Sequence, residues 1–159
     1  MKSTHEAKTI CLILLALAGA WAADGQDAAR LPDGPGKEIV GRICLSCHDS
    51  GNFRKQRFEG EEWSESVADM VERGAKGTGE EIDAVVSYLA KNFGKGAPVR
   101  INTAPFAEIK VLLGFTPVEV RALLDYREKN GALKSFEELR KVPGIDAAKA
   151  EAQKSRIAF

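Results

Sequence analysis

Part of this chain repeats itself. Phe106-Ala107-Glu108-Ile109-Lys110 aligns with Phe136-Glu137-Glu138-Leu139-Arg140, and Gly114-Phe115-Thr116 aligns with Gly144-Ile145-Asp146. A two-copy repeat is one supersecondary unit used twice, and neither copy can bury its apolar face alone. Each copy reads helix, tight turn, helix. Thr116-Pro117-Val118-Glu119 and Ser135-Phe136-Glu137-Glu138 both have the capping-box pattern, and Pro117 suits a first helical position. Gly131 stops the helix that carries Val120, Leu123, Leu124 and Arg127. The repeat therefore predicts a compact four-helix unit over residues 99–159, after a breaker-rich linker at 95–98.

This unit resembles the tandem helix-hairpin-helix of the ComEA family of competence-type DNA-uptake proteins. The matching stretches are Ile101-Asn102-Thr103-Ala104, Tyr126-Arg127-Glu128-Lys129-Asn130-Gly131, Ser135-Phe136-Glu137-Glu138-Leu139 and Val142-Pro143-Gly144-Ile145. The resemblance implies that phosphate would be held at the hairpins, making Gly114, Thr116 and Gly144 the candidate contacts. DNA-binding hairpins usually place a second glycine where this chain has Thr116 and Asp146. Each of those side chains can cap its own helix and occupy the amides a phosphate would need, and Asp146 repels an anion. On the residues, a docking or scaffold role is preferred over nucleic-acid binding, because fold alone does not fix function.

The first segment reads as an address. Lys2 and Lys8 give a positive start, and Ile10 to Ala23 is an uncharged, mostly apolar run. The run is shorter than the ~20 residues that span a bilayer. Ala20-Trp21-Ala22 gives a small-x-small cleavage pattern, so residues 1–22 are expected to be a signal peptide and the protein periplasmic or otherwise exported. No later segment is long and apolar enough to be an integral span. Removing 1–22 takes away His5, Cys11 and Trp21, leaving Cys44, Cys47 and His48 as the remaining Cys and His.

Those three residues form Cys44-Leu45-Ser46-Cys47-His48, the C-x-x-C-H pattern of c-type haem attachment. Two thiols about one helical turn apart can add to the two vinyl groups of one porphyrin edge, with the next imidazole under the iron. A zinc ribbon needs two further ligands that the chain lacks. A thioredoxin-type pair expects a preceding strand, but Ile39, Val40 and Ile43 share a helical face. A plain disulfide leaves His48 unexplained. Met70 is the one thioether of the mature chain and lies on a predicted helix, Glu61 to Arg73, with Trp63, Val67 and Val71 on its apolar face. Core filling is the ordinary fate of such a Met. Elimination favours it here as the sixth ligand opposite His48.

Residues 33–94 resemble a small monohaem class I cytochrome c. The resemblance rests on Cys44, Cys47, His48, Trp63, Val67, Met70, Gly74, Ala75, Tyr88, Leu89, Asn92, Phe93 and Gly94. It implies one covalent haem c per chain, bound by Cys44, Cys47, His48, Met70, Trp63 and Val67, with iron ligated by His48 and Met70. It also implies one-electron transfer, and a close crossing of terminal helices at Gly36 and Val40. No proline follows the motif before Pro98, so the group that orients His48 is not readable from the sequence. A core of about 70 residues is thin, and a covalent haem would staple it.

The expected fold is therefore all-α: a small class I cytochrome c domain followed by the tandem helix-hairpin-helix. The expected function is a periplasmic electron carrier, not an enzyme, whose partners are a dehydrogenase or a terminal acceptor and whose second domain is a docking module. The alternative is a DNA-binding, uptake-like protein that carries a redox haem. Arg54, Lys55 and Arg57 are expected to form a solvated loop cluster. Charge divides unevenly: residues 24–97 carry 10 basic and 14 acidic residues (−4), and residues 98–159 carry 11 and 8 (+3). The second domain is basic enough to attract an acidic surface, but weakly so for nucleic acid.

Overall fold

The computed structural model describes residues 26–159, so the signal segment lies outside the described residues. The chain is mostly helical. After a helical stretch at 26–29 come α1 (Lys37–Cys44), α2 (Gly51–Arg54), α3 (Gly60–Glu72) and α4 (Gly79–Phe93). The second half holds α5 (Phe106–Leu113), α6 (Pro117–Asn130), α7 (Phe136–Leu139) and α8 (Ala147–Ala152). Two short strands, β1 (Val99–Arg100) and β2 (Ile157–Ala158), pair in parallel and tie the end of the chain to the start of the second half.

Local signals set most helix boundaries. Thr78 and Glu81 form a reciprocal capping box at the start of α4, and Thr116 and Glu119 form one at the start of α6. Helix α3 starts at Gly60 behind Glu59, whose side chain and that of Glu62 make the same reciprocal pair. At α7 only half of the predicted box exists. Ser135 Oγ accepts from Glu138 N, but the Glu138 carboxylate turns to Lys134 N and Tyr126. Helix α1 begins at Lys37, two residues after Pro35. Gly36 sits at φ 92°, a left-handed turn that cannot be helical. The position is also crowded, since a Cβ there would lie 2.9 Å from Ala84 O and from Tyr88 Cβ. That glycine lets α1 cross closely over α4.

Two apolar clusters divide the molecule. Val40, Trp63, Val85, Tyr88, Leu89 and Phe93 are at the centre of the first. Ile101, Ile109, Val120, Leu123, Leu139 and Ala150 are at the centre of the second. The junction between them is polar but buried. Arg54 at the end of α2 donates from Nε to Glu108 Oε2 of α5 at 2.8 Å, and both side chains are 1% exposed. Arg57 reaches the other oxygen of Glu108 at 3.0 Å. Arg54 also donates to Arg30 O and Thr103 Oγ1, and its guanidinium lies over the Phe93 ring. Arg54 was expected in a solvated cluster, and this corrects that reading. The cluster is an ion-pair hub between domains, because α5 supplies a carboxylate 54 positions away that no local pattern announces.

Candidate functional site

The residues expected around a haem come together. Cys44, Cys47, His48, Trp63, Val67 and Met70 all line one cavity of about 270 Å³, closed by apolar side chains from α1, α3 and α4. Helix α1 ends at Cys44, so the rest of the C-x-x-C-H segment lies beyond the helix, and its Cys44, Cys47 and His48 line the cavity. Cys44 is half-buried and Cys47 exposed, and both thiols are free. Burial pushes the Cys44 thiol up to about 11. Val71, expected to make the pocket apolar, lines it but remains 41% exposed.

His48 Nδ1 donates to the Asp49 carbonyl at 3.0 Å, which leaves Nε2 available. Sequence reasoning could not name this partner, because the motif lacks the usual proline and a main-chain acceptor leaves no side-chain signature. The Asp49 side chain accepts from Gly51 N at 2.7 Å, so the start of α2 holds that carbonyl in place.

The lining fits the group that a C-x-x-C-H motif attaches. It is apolar, carries both thiols and an imidazole on one side, and holds Met70 on α3. One buried polar atom among the described residues has no partner, Trp63 Nε1. A buried donor without an acceptor is costly, and a propionate-bearing ligand supplies one. A free-standing metal site does not fit: among the described residues no three His, Cys, Asp or Glu side chains gather to hold an ion.

The second candidate region is the pair of hairpins. Gly114 (φ 68°) and Gly144 (φ 92°) make the two turns in left-handed conformations. Thr116 Oγ1 accepts from Glu119 N, and Asp146 Oδ1 accepts from Ala148 N and Lys149 N. Each residue caps its own helix, as the residue types predict. Sequence reasoning missed what joins them. Glu119 accepts from Thr116 N at 2.7 Å, from Asp146 N at 3.2 Å and from Lys149 Nζ at 2.6 Å. One carboxylate thus engages the amides of both hairpins at the positions where DNA-binding hairpins usually have a second glycine. Burial alone would raise the Glu119 pKa, but the bonds from Lys149, Thr116 and Asp146 outweigh it and bring it down to about 2. The capping-box pattern gave half of this site. The link to Asp146 has no sequence signal, because it joins the two copies.

Residues 94–158 match the helix-hairpin-helix motif family. The chain is similar to ComE operon protein 1 of Bacillus subtilis, 42% identical over 64 residues, covering 40% of this chain and 31% of that protein. It is also similar to an uncharacterized protein of Haemophilus influenzae, 40% identical over 62 residues, covering 38% of this chain and 55% of that protein. The chain thus spans about a third and about half of the lengths of these two relatives. No solved structure matches it. Among the described residues, no helix is long and apolar enough to cross a membrane.

These matches overturn the electron-carrier reading of the chain, in which the second domain only docks. The family match covers residues 94–158 and identifies the second domain as helix-hairpin-helix, and with the similarity to ComE operon protein 1 it favours the alternative reading over the electron carrier. The preference for redox partners over nucleic acid is corrected with it. So are the attributes of a cytochrome, of electron transfer and of a metal-binding cluster. That preference rested on the capped hairpin amides, a local feature that the family match over the whole second domain outweighs.

Proposed function

We propose that the protein is an exported, ComEA-like DNA-binding protein. Its helix-hairpin-helix domain meets the phosphate backbone of DNA, and its first domain carries a haem attached through Cys44 and Cys47. The observation that carries the DNA reading is the coincidence of the family match over 94–158 with two built hairpins at Gly114 and Gly144. Glu119 occupies the hairpin amides, so contact falls to cationic side chains around them, including the exposed Lys110, Arg121 and Lys141. Binding by such a surface is sequence-independent and strongly salt-dependent, since each phosphate neutralised releases counterions.

Support for the covalent group comes from the cavity lining and the orphaned Trp63 indole. Cys44 and Cys47 would hold it, His48 and Met70 would face its iron, and Trp63 would donate to its acidic edge. When bound, the group supplies a one-electron centre.

Fluorescence anisotropy with a labelled duplex, from 20 to about 200 mM salt, tests the DNA reading. Affinity is expected to fall about 10²-fold or more across that range. No binding at the lowest salt overturns it. Haem staining after denaturing electrophoresis tests the covalent group separately: the stain is expected in the native chain and absent in Cys44→Ala/Cys47→Ala. An unstained native chain overturns that part alone.

A further inference from the structure

A second cleft lies between the leading segment, through Gln26 and Arg30, and the helix-hairpin-helix domain. Its volume is about 630 Å³, and Arg30 and Arg127 both line it. Arg127 is fixed in place: its Nη1 donates to Ile101 O at 3.1 Å and Ala104 O at 2.8 Å. Those bonds use one nitrogen, leaving Nε and Nη2 for the cleft. Among the described residues, neither Arg30 nor Arg127 has a carboxylate within ion-pair distance, whereas nearby Arg54 has Glu108. Burial first, and then the like charges of Arg30 and Arg54, pull the Arg127 pKa down to about 10. A half-buried guanidinium with a second one on the same lining is an unneutralised site, and buried charges are ordinarily paired. Phe106 and Leu124 form an apolar wall beside the arginines. Glu128 is the carboxylate on the lining, and it opposes an anion.

We infer that this cleft is a phosphate seat: Arg30 and Arg127 grip the phosphate of a nucleotide unit whose sugar or base lies against Phe106 and Leu124. Guanidinium forks match phosphate oxygens in geometry as well as charge. The phosphate comes either from a DNA backbone, in which case the inference rests on the DNA reading above, or from a free mononucleotide. The seat would supply the anion contact that the Glu119-blocked hairpin amides do not.

The test uses the full chain and two ligands: a labelled DNA duplex followed by anisotropy, and AMP followed by thermal shift. Arg30→Glu is the main variant, because the Arg30 side chain is exposed and its structural contact is the main-chain carbonyl. Glu128→Gln removes the opposing charge, and Lys91→Glu reverses an exposed charge away from the cleft. For a backbone phosphate, Arg30→Glu is expected to weaken duplex binding roughly tenfold and reduce the salt slope by about one. Glu128→Gln should tighten binding about twofold, and Lys91→Glu should change it less than about twofold. If the native chain binds no duplex but AMP raises its melting temperature, and Arg30→Glu abolishes that shift, the seat stands with a free nucleotide and the DNA reading fails. If duplex binding is intact in Arg30→Glu, or equally weakened by Lys91→Glu, the seat is overturned while the DNA reading stands. If neither ligand binds the native chain, both are overturned.

Discussion

The two halves of the molecule close their cores differently. In the helix-hairpin-helix half, Ile101, Ile109, Val120, Leu123, Leu139 and Ala150 are fully buried against one another. Side chains of the two repeat copies complete that core, and Glu119 bolts the hairpins together. In the first half, helices α1 to α4 surround a cavity of about 270 Å³ lined by two thiols, an imidazole, a thioether and a buried indole without an acceptor. The second half fills its own core with side chains, whereas the first is built around a space that the proposed covalent group would fill.

The Arg54–Glu108–Arg57 hub is where that difference can be broken most severely. Glu108→Ala would leave Arg54 buried and unpaired, at an expected cost of about 3–5 kcal/mol. Urea unfolding should then separate into two transitions, the first domain melting earlier. A single unsplit transition would show that the halves are not coupled through this hub.

Glu119 probes the scaffold half. Its folded pKa is about 2 against an ordinary 4.5. A depressed carboxylate stabilises the fold fully above its unfolded pKa and loses that contribution as pH falls through the folded value. Stability on the order of 3 kcal/mol should therefore disappear between about pH 5 and pH 2. Thermal melts of Glu119→Gln across that window should be lower at neutral pH and flatter with pH than the native chain.

Glycine substitutions separate the halves more gently. Gly36→Ala faces a left-handed φ of 92° and atoms at 2.9 Å, so about 2 kcal/mol or more should be lost from the first domain. Gly144→Ala has the same φ, with Ala122 Cβ at 3.2 Å, and should cost the second domain about 1–2 kcal/mol. Hydrogen exchange resolved by segment distinguishes the two, because each loss of protection should stay in its own half. The smallest effect is expected from Thr116→Ala, about 1 kcal/mol from a lost cap, read as a modest fall in melting temperature.

Much of the candidate site was legible in the residues. The 30-residue repeat located both hairpins, and Thr116 and Asp146 cap their helices as their types predict. The cavity around His48 collects the residues that the C-x-x-C-H spacing and the apolar face of α3 single out. The residues did not show the second cleft, because Arg30 and Arg127, which line it, carry no motif. Arg54 looked like loop charge because its partner is far along the chain.

The sequence by itself determined the periodic and short-range features: the repeat, the helix caps, the motif spacing and the −4/+3 charge division. These follow from interactions within a few residues, where backbone geometry leaves few alternatives. Only the tertiary structure decided that Glu108 neutralises Arg54, that Glu119 spans two hairpins, that the Asp49 carbonyl accepts from His48, and that Arg30 and Arg127 line one cleft. The first, second and fourth join groups distant in the chain, and the third uses a main-chain atom that every residue possesses, so no side-chain pattern could encode them.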